Sequence, residues 1–248
     1  EICAAKLDDA DLRGLDLSSW RIAFNGAEPV HKQTLERFAA RFAPYGFRRE
    51  ALSPVYGLAE NSVGVTFPPI GRGPRFDQIS RQAFLEKGRA EPTGLDDPHA
   101  LTFVGCGRPL ATVEVRIADE AGREAVDRTQ GRVQFRGPSA TAGYYRNAPA
   151  TRRLLDRGWV DSGDLGYVAE GELYVTGRTK DVIIRGGRNI HPQELEEAVG
   201  EVAGIRLGFV AVFGTRDARS NTERLVVAAE TRITQDQERE KLAARIWE

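Results

Sequence analysis

The chain has little cysteine, no methionine, no long apolar run and no excess of either charge, and each shortage narrows what it can be. Cys3 and Cys106 are its only thiols, far apart and without paired spacing. Two thiols and three histidines make neither a disulfide framework nor a zinc-ligand pattern, so a reducing cytoplasm is the expected compartment. No apolar stretch approaches the roughly 20 residues that a membrane helix needs. The amino-terminal EICAAKLDDADLRG is charged where a secretory signal would be apolar. Stable membrane insertion is therefore not expected. Lys plus Arg number 35 against 36 Asp plus Glu, a formal net charge of -1. A general nucleic-acid binder carries a basic excess, so nucleic acid is not an expected partner. Methionine is missing even at position 1, which suggests a piece of a longer product.

What is present is an ordinary globular composition, 41% hydrophobic and 29% charged, with enough length to bury a large core. Residues 1–67 alternate strand and helix. Trp20 to Phe24 reads as a short strand, and residues 31–43 place Leu35, Phe38, Ala39 and Phe42 on one helical face. Pro44 and Gly46 end that helix, and strands follow at Val55-Tyr56 and Val63 to Phe67. Residues 68–99 are rich in Pro and Gly and too long for a plain connection, so they form either a functional insertion or a mobile loop. Gln78 to Lys87 is the one helical piece expected there. From 100 to about 176 short β-branched runs predict a distorted β-barrel or sandwich. Strands at 181–186, 208–213 and 224–230 with helices at 192–199 and from Thr234 predict a small α+β unit, in which the chain stops. The expected fold class is thus α/β plus a β-barrel-like subdomain, followed by an incomplete α+β domain.

Four short segments carry chemistry. Gly26-Ala27-Glu28-Pro29 follows a strand and exposes backbone at its carboxyl end, where α/β sheets place ligands. In Tyr56-Gly57-Leu58-Ala59-Glu60 an aromatic ring that can stack on a flat base sits beside a glycine that permits close backbone approach. Glu60 is a hard oxygen ligand suited to Mg2+ carried by a nucleotide triphosphate. Asp164, in Asp161-Ser162-Gly163-Asp164, is expected in a Gly-containing turn, where its two oxygens could accept both hydroxyls of a ribose. Gly177-Arg178-Thr179-Lys180-Asp181 leads into Ile184-Arg185-Gly186-Gly187-Arg188-Asn189-Ile190. Each segment alone also has a plain structural reading: a core tyrosine, a strand-to-helix turn, an aspartate bonding its own backbone, a surface ion pair.

In order and spacing the four segments resemble the adenylate-forming superfamily of acyl- and aryl-CoA synthetases, luciferases and peptide-synthetase adenylation domains. The resemblance covers most of residues 20–200 and places the chain in the C-terminal part of such an enzyme. It implies that residues 1–179 belong to the large adenylating domain and 180–248 to a small C-terminal lid domain. By the same resemblance Gly26, Ala27 and Glu28 line the adenine pocket with Tyr56 and Gly57, and Asp164 and Arg178 hold the ribose or phosphate. Glu60 carries Mg2+, Lys180 is the interdomain hinge, and Arg185, Gly186 and Gly187 form a loop toward the thiol acceptor. The implied reaction is carboxylate plus ATP giving acyl-AMP and pyrophosphate. It needs positioning and charge neutralisation rather than covalent catalysis.

The roughly forty residues between Glu60 and Gly105, with NGAEPV, RFDQIS and KGRAEP, are similar to fatty acyl-AMP ligases. That subclass implies a fatty acid substrate and transfer to the phosphopantetheine of an acyl carrier protein. An acyl-CoA ligase with a long loop, using CoA, is the alternative within enzymes. A non-catalytic nucleotide- or carrier-binding fragment is the alternative outside them. The family's phosphate-cradling Ser/Thr/Gly loop and its terminal lysine have no counterpart, and Lys241 lies outside that lysine's context. The isolated chain is therefore expected to be inactive.

Overall fold

The computed structural model describes residues 2–94, 97–185, 188–217 and 222–247. It divides into two compact units, Glu1–Thr176 and Gly177–Glu248.

The first unit opens with α1 (Ile2–Lys6), β1 (Ala23–Asn25), α2 (Lys32–Phe42) and β2 (Leu52–Pro54). Strands β1 and β2 pair in parallel, with Asn25 opposite Pro54, so α2 is the crossover of a single βαβ unit. Leu35, Ala39 and Phe42 bury one face of α2 against Leu12, Phe47 and Leu52. The helix gives way to a short 3-10 turn at Ala43–Tyr45, closed by Gly46 at φ 83. The strand expected from Trp20 starts later, at Ala23. Trp20 instead sits in a turn, its amide donating to the Leu17 carbonyl, and its ring meets Phe47 edge-on at 5.4 Å.

Next come β3 (Tyr56–Leu58), β4 (Val63–Phe67), β5 (Phe76–Ile79), α3 (Arg81–Lys87), β6 (Leu101–Val104) and β7 (Arg108–Pro109). Strands β3, β4 and β7 form an antiparallel sheet, and β5 pairs with β6. The described residues of the 68–99 segment are therefore a packed part of the fold. Ile79, Phe84 and Ala90 join Leu101, Tyr167, Ala169 and Tyr174 in one apolar cluster. The helix expected from Gln78 begins at Arg81, because the Ser80 hydroxyl caps it by accepting from the Ala83 amide at 3.3 Å.

Two buried ionic contacts fasten this segment. Arg72 forks onto the fully buried Glu172, with one bond of 3.1 Å, and Arg75 stands 3.7 Å from the same carboxylate. Asp77 accepts from the Tyr167 hydroxyl at 2.7 Å and from Arg128 at 2.9 Å.

A curled five-stranded sheet completes the unit: β8 (Glu114–Ala118), β9 (Gly131–Arg136), β10 (Leu155–Asp156), β11 (Trp159–Ala169) and β12 (Glu172–Arg178), with α4 (Ala148–Leu154) before β10. Its order is β10-β11-β9-β8, with β12 on β11. Val65, Val113, Ile117, Val133, Phe135 and Val160 pack together in the apolar cluster on this sheet.

The second unit, from Gly177 on, holds the hairpin of β13 (Ile183–Arg185) and β14 (Arg188–Ile190), α5 (Pro192–Gly200), the long hairpin of β15 (Ile205–Asp217) and β16 (Thr222–Thr231), and α6 (Asp236–Ile246). No helix among the described residues is long and apolar enough to cross a membrane.

Candidate active site

The site grows from the carboxyl end of β1. The Val55 amide donates to the Asn25 carbonyl at 2.8 Å, which lays Gly26 against Val55. A side chain at Gly26 would meet the Val55 carbonyl at 3.0 Å, so glycine lets the two segments touch. Ala27 is left-handed, at φ 70, a conformation that costs about 1–2 kcal/mol outside glycine. Glu28 is exposed.

One residue beyond Val55, the Tyr56 hydroxyl donates to Asp164 Oδ2 at 2.6 Å. Both groups are buried, at 9% and 8% exposure, and a buried bond to a carboxylate contributes about 1.5–3 kcal/mol. Burial, then the Asp164 charge, raises the Tyr56 pKa, so the phenol stays protonated and donates. The Tyr56 ring belongs to the main core cluster, beside Val65 and Cys106.

Asp164 does not lie in the turn expected from the sequence. It sits inside β11, where the pairing with β9 shifts between Asp161 and Leu165. Gly163, at φ 76, supplies the left-handed step of this bulge. Asp161 Oδ1 accepts from the Gly163 amide at 3.0 Å, while Arg132 holds its other oxygen at 2.6 Å. The Ser162 hydroxyl donates to the Val133 carbonyl and accepts from the Asp164 amide. The bulge thereby aims the Asp164 carboxylate at Tyr56 rather than into the sheet ladder.

Gly57 is sterically obligatory, because a Cβ there would lie 1.7 Å from the Val63 carbonyl oxygen. This contact folds the chain back so that Glu60, in the 3-10 turn Ala59–Asn61, faces the loop after β9. Glu60 Oε1 accepts from the Tyr144 hydroxyl at 2.7 Å, and its carbonyl accepts from the Thr141 amide at 2.7 Å. Asn61 Oδ1 accepts from Ser139, and Ser62 donates to the Ser139 carbonyl. Sequence reasoning missed Tyr144 and Thr141. Their signal was an aromatic pair, Tyr144-Tyr145, in a Gly- and Pro-flanked loop.

Gly26, Ala27, Tyr56, Gly57, Glu60 and Asp164 thus lie on segments linked by direct bonds within the first unit. Arg178 is the last residue of β12 and falls past the Thr176 end of the first unit, and Lys180 is exposed in a turn closed by the Asp181 amide on the Arg178 carbonyl at 3.2 Å. Arg185 is exposed at the end of β13, whereas Gly186 and Gly187 fall outside the described residues. Among the described residues no three carboxylates, histidines or cysteines cluster as a closed metal cage. A magnesium ion does not need one, since it keeps several waters and takes one or two carboxylates plus substrate phosphates. Glu60 fits that requirement: it is half-buried, and Tyr144 binds only Oε1.

A parallel βαβ start, a curled β subdomain and a carboxylate aimed between them define the scaffold of an adenylate-forming enzyme. One of the solved fatty acyl-adenylate ligases of E. coli and L. pneumophila matches it with a TM-score of 0.90 and 35% identity, over 99% of this chain and 44% of that one. The chain belongs to the AMP-binding enzyme family, whose model matches residues 2–145. It is 37% identical to the 4-hydroxyphenylalkanoate adenylyltransferase of Mycobacterium marinum, over 86% of this chain and 36% of that protein. It is likewise 37% identical to a medium-chain-fatty-acid–[acyl-carrier-protein] ligase of Moorena producens, over 80% of this chain and 35% of the relative. The chain thus spans 35–44% of the length of these relatives.

Proposed function

We propose that this chain forms the adenosine-binding side of a fatty acyl-AMP ligase, which joins a fatty acid to ATP as acyl-AMP with release of pyrophosphate. The observation that carries the reading is the Tyr56–Asp164 bond of 2.6 Å. It joins two motifs 108 residues apart and ties the Asp164 carboxylate to the segment that follows Val55, whose amide binds the Asn25 carbonyl just before Gly26. An ionised aspartate accepts at both oxygens, which suits ribose hydroxyls. Gly26, Ala27 and Glu28 supply the adenine wall. Glu60 holds Mg2+, which when bound offsets the negative charge of the phosphates.

In this reading the acceptor is the phosphopantetheine thiol of an acyl carrier protein. The second unit is the lid domain, with Lys180 as its hinge residue, Arg178 as a nucleotide ligand and Arg185 in the acceptor loop. The relatives named as carrier-protein ligases support that acceptor, while others named as CoA ligases keep CoA as the alternative, and the two free thiols suit a reducing cytoplasm. Isothermal titration of the chain with AMP tests the nucleotide site. Saturable heat that Asp164→Ala removes is expected. An Asp164→Ala chain that binds as tightly as the parent would rule the reading out.

A further inference from the structure

The stretch just beyond the site carries charge without ion-pair partners among the described residues. Residues 146–157 hold four arginines, Arg146, Arg152, Arg153 and Arg157, against one acid, Asp156. All four arginines are exposed, and none makes an ion pair among the described residues. The neighbouring sheet shows the usual arrangement instead: Arg132 is paired with Asp161 and Arg136 with Glu114. Asp156 does not serve the four, because it turns to Arg116 at 4.0 Å and to Gln134 at 3.5 Å. In a chain of net charge -1, this is a local basic excess rather than a general one.

The stretch is also held in place. Asn147 caps α4 by accepting from the Ala150 amide at 3.1 Å, and the Thr151 hydroxyl accepts from the Tyr144 amide at 2.9 Å. Leu154 is buried and anchors the helix end. Arg157 and Gly158, at φ 51 and 86, make the tight turn of the β10–β11 hairpin, which presents Arg157 at its tip. Tyr145 is 85% exposed, with the Arg146 guanidinium 5.2 Å from its ring centre. Exposed tyrosine and arginine, already ordered, are the residue types that dominate protein interfaces. Tyr144, next to Tyr145, reaches Glu60, so the surface borders the site.

We propose that the surface running from Tyr145 to Arg157 docks the acyl carrier protein, its four arginines meeting carboxylates of that partner. The inference rests on the carrier-acceptor reading above and names where that partner lands. Charge complementarity favours an anionic partner, and the exposed Tyr145 and Leu155 add apolar contact that a protein face can cover.

The test measures binding of the whole chain to an immobilised acyl carrier protein, with heparin and anionic phosphatidylglycerol vesicles as rival surfaces. The parent chain is expected to bind the carrier, to weaken as salt rises, and to prefer it over both rivals. Reversing the patch with R146E, R152E, R153E and R157E is expected to weaken carrier binding at least about tenfold, with AMP binding unchanged. Arg152→Gln with Arg153→Gln, both on the exposed side of α4, gives a smaller loss in the same direction and guards against misfolding. A parent that binds the carrier while the reversed chain binds it equally overturns the docking surface and leaves the acceptor reading standing. A parent that ignores the carrier, or prefers heparin or vesicles, overturns both.

Discussion

Replacing Arg72 with methionine removes the cation that sits on a carboxylate with no access to water. Glu172 is 0% exposed, and a side chain on neighbouring Gly105 would meet its Oε2 at 2.8 Å, so the carboxylate has no room to turn outward. Breaking one partner of a buried pair leaves an uncompensated charge and costs about 3–5 kcal/mol. Arg75, 3.7 Å from Glu172, offsets part of this, which puts the expectation near the lower end of that range. At about 2–4 °C per kcal/mol for a unit of this size, the melting temperature of the first unit falls by roughly 6–15 °C. The double variant Arg72→Met with Glu172→Leu buries apolar groups instead and recovers most of the loss. Circular-dichroism melts of the three chains read both effects. A drop of under about 2 °C for the single variant, or a double variant no better than the single, would show that the ionic contact does not fasten the 68–99 segment.

Tyr144→Phe removes the hydroxyl that orients Glu60, and in titrations it is expected to weaken binding of ATP with magnesium about three- to tenfold while leaving AMP alone unchanged. Burial pushes the Cys106 thiol up to about 12, so a thiol reagent at pH 8 is expected to label exposed Cys3 alone, and both cysteines only after denaturation. Burial lowers the His191 pKa from 6.5, so the unfolded chain binds the extra proton first as the solution is acidified. Stability of the second unit is therefore expected to be level above about pH 7 and to fall below about 6.5, by no more than about 1.4 kcal/mol per pH unit from this one group. His191→Gln flattens that slope in melts taken from pH 7 to 5.

Local pattern carried much of the fold. The apolar spacing of Leu35, Ala39 and Phe42 put a helix at 31–43, and the structure has it at Lys32–Phe42. The β-branched runs at 112–119 and 131–137 hold β8 and β9, which the structure confines to Glu114–Ala118 and Gly131–Arg136. What escaped the sequence depends on distant partners. Asp164 looked like a turn residue because Gly163 precedes it, yet the pairing of β11 with β9 makes that glycine a bulge within an eleven-residue strand. The 68–99 segment looked loop-like from its Pro and Gly. Its order comes from Arg72 and Asp77, whose partners Glu172 and Tyr167 lie 100 and 90 residues away. Tyr144 meets Glu60 across 84 residues, a contact with no periodicity to betray it. The motif residues themselves were legible because short segments of fixed type hold them, while the bonds that aim them were not.

Backbone amide chemical shifts recorded as AMP is added to isotope-labelled chain test most directly whether these segments form one nucleotide site. The account predicts saturable shifts concentrated at residues 25–28, 56–60 and 162–165, the segments joined by the Asn25–Val55 and Tyr56–Asp164 bonds. Shifts gathered on another face of the first unit, or none at millimolar AMP, would contradict it.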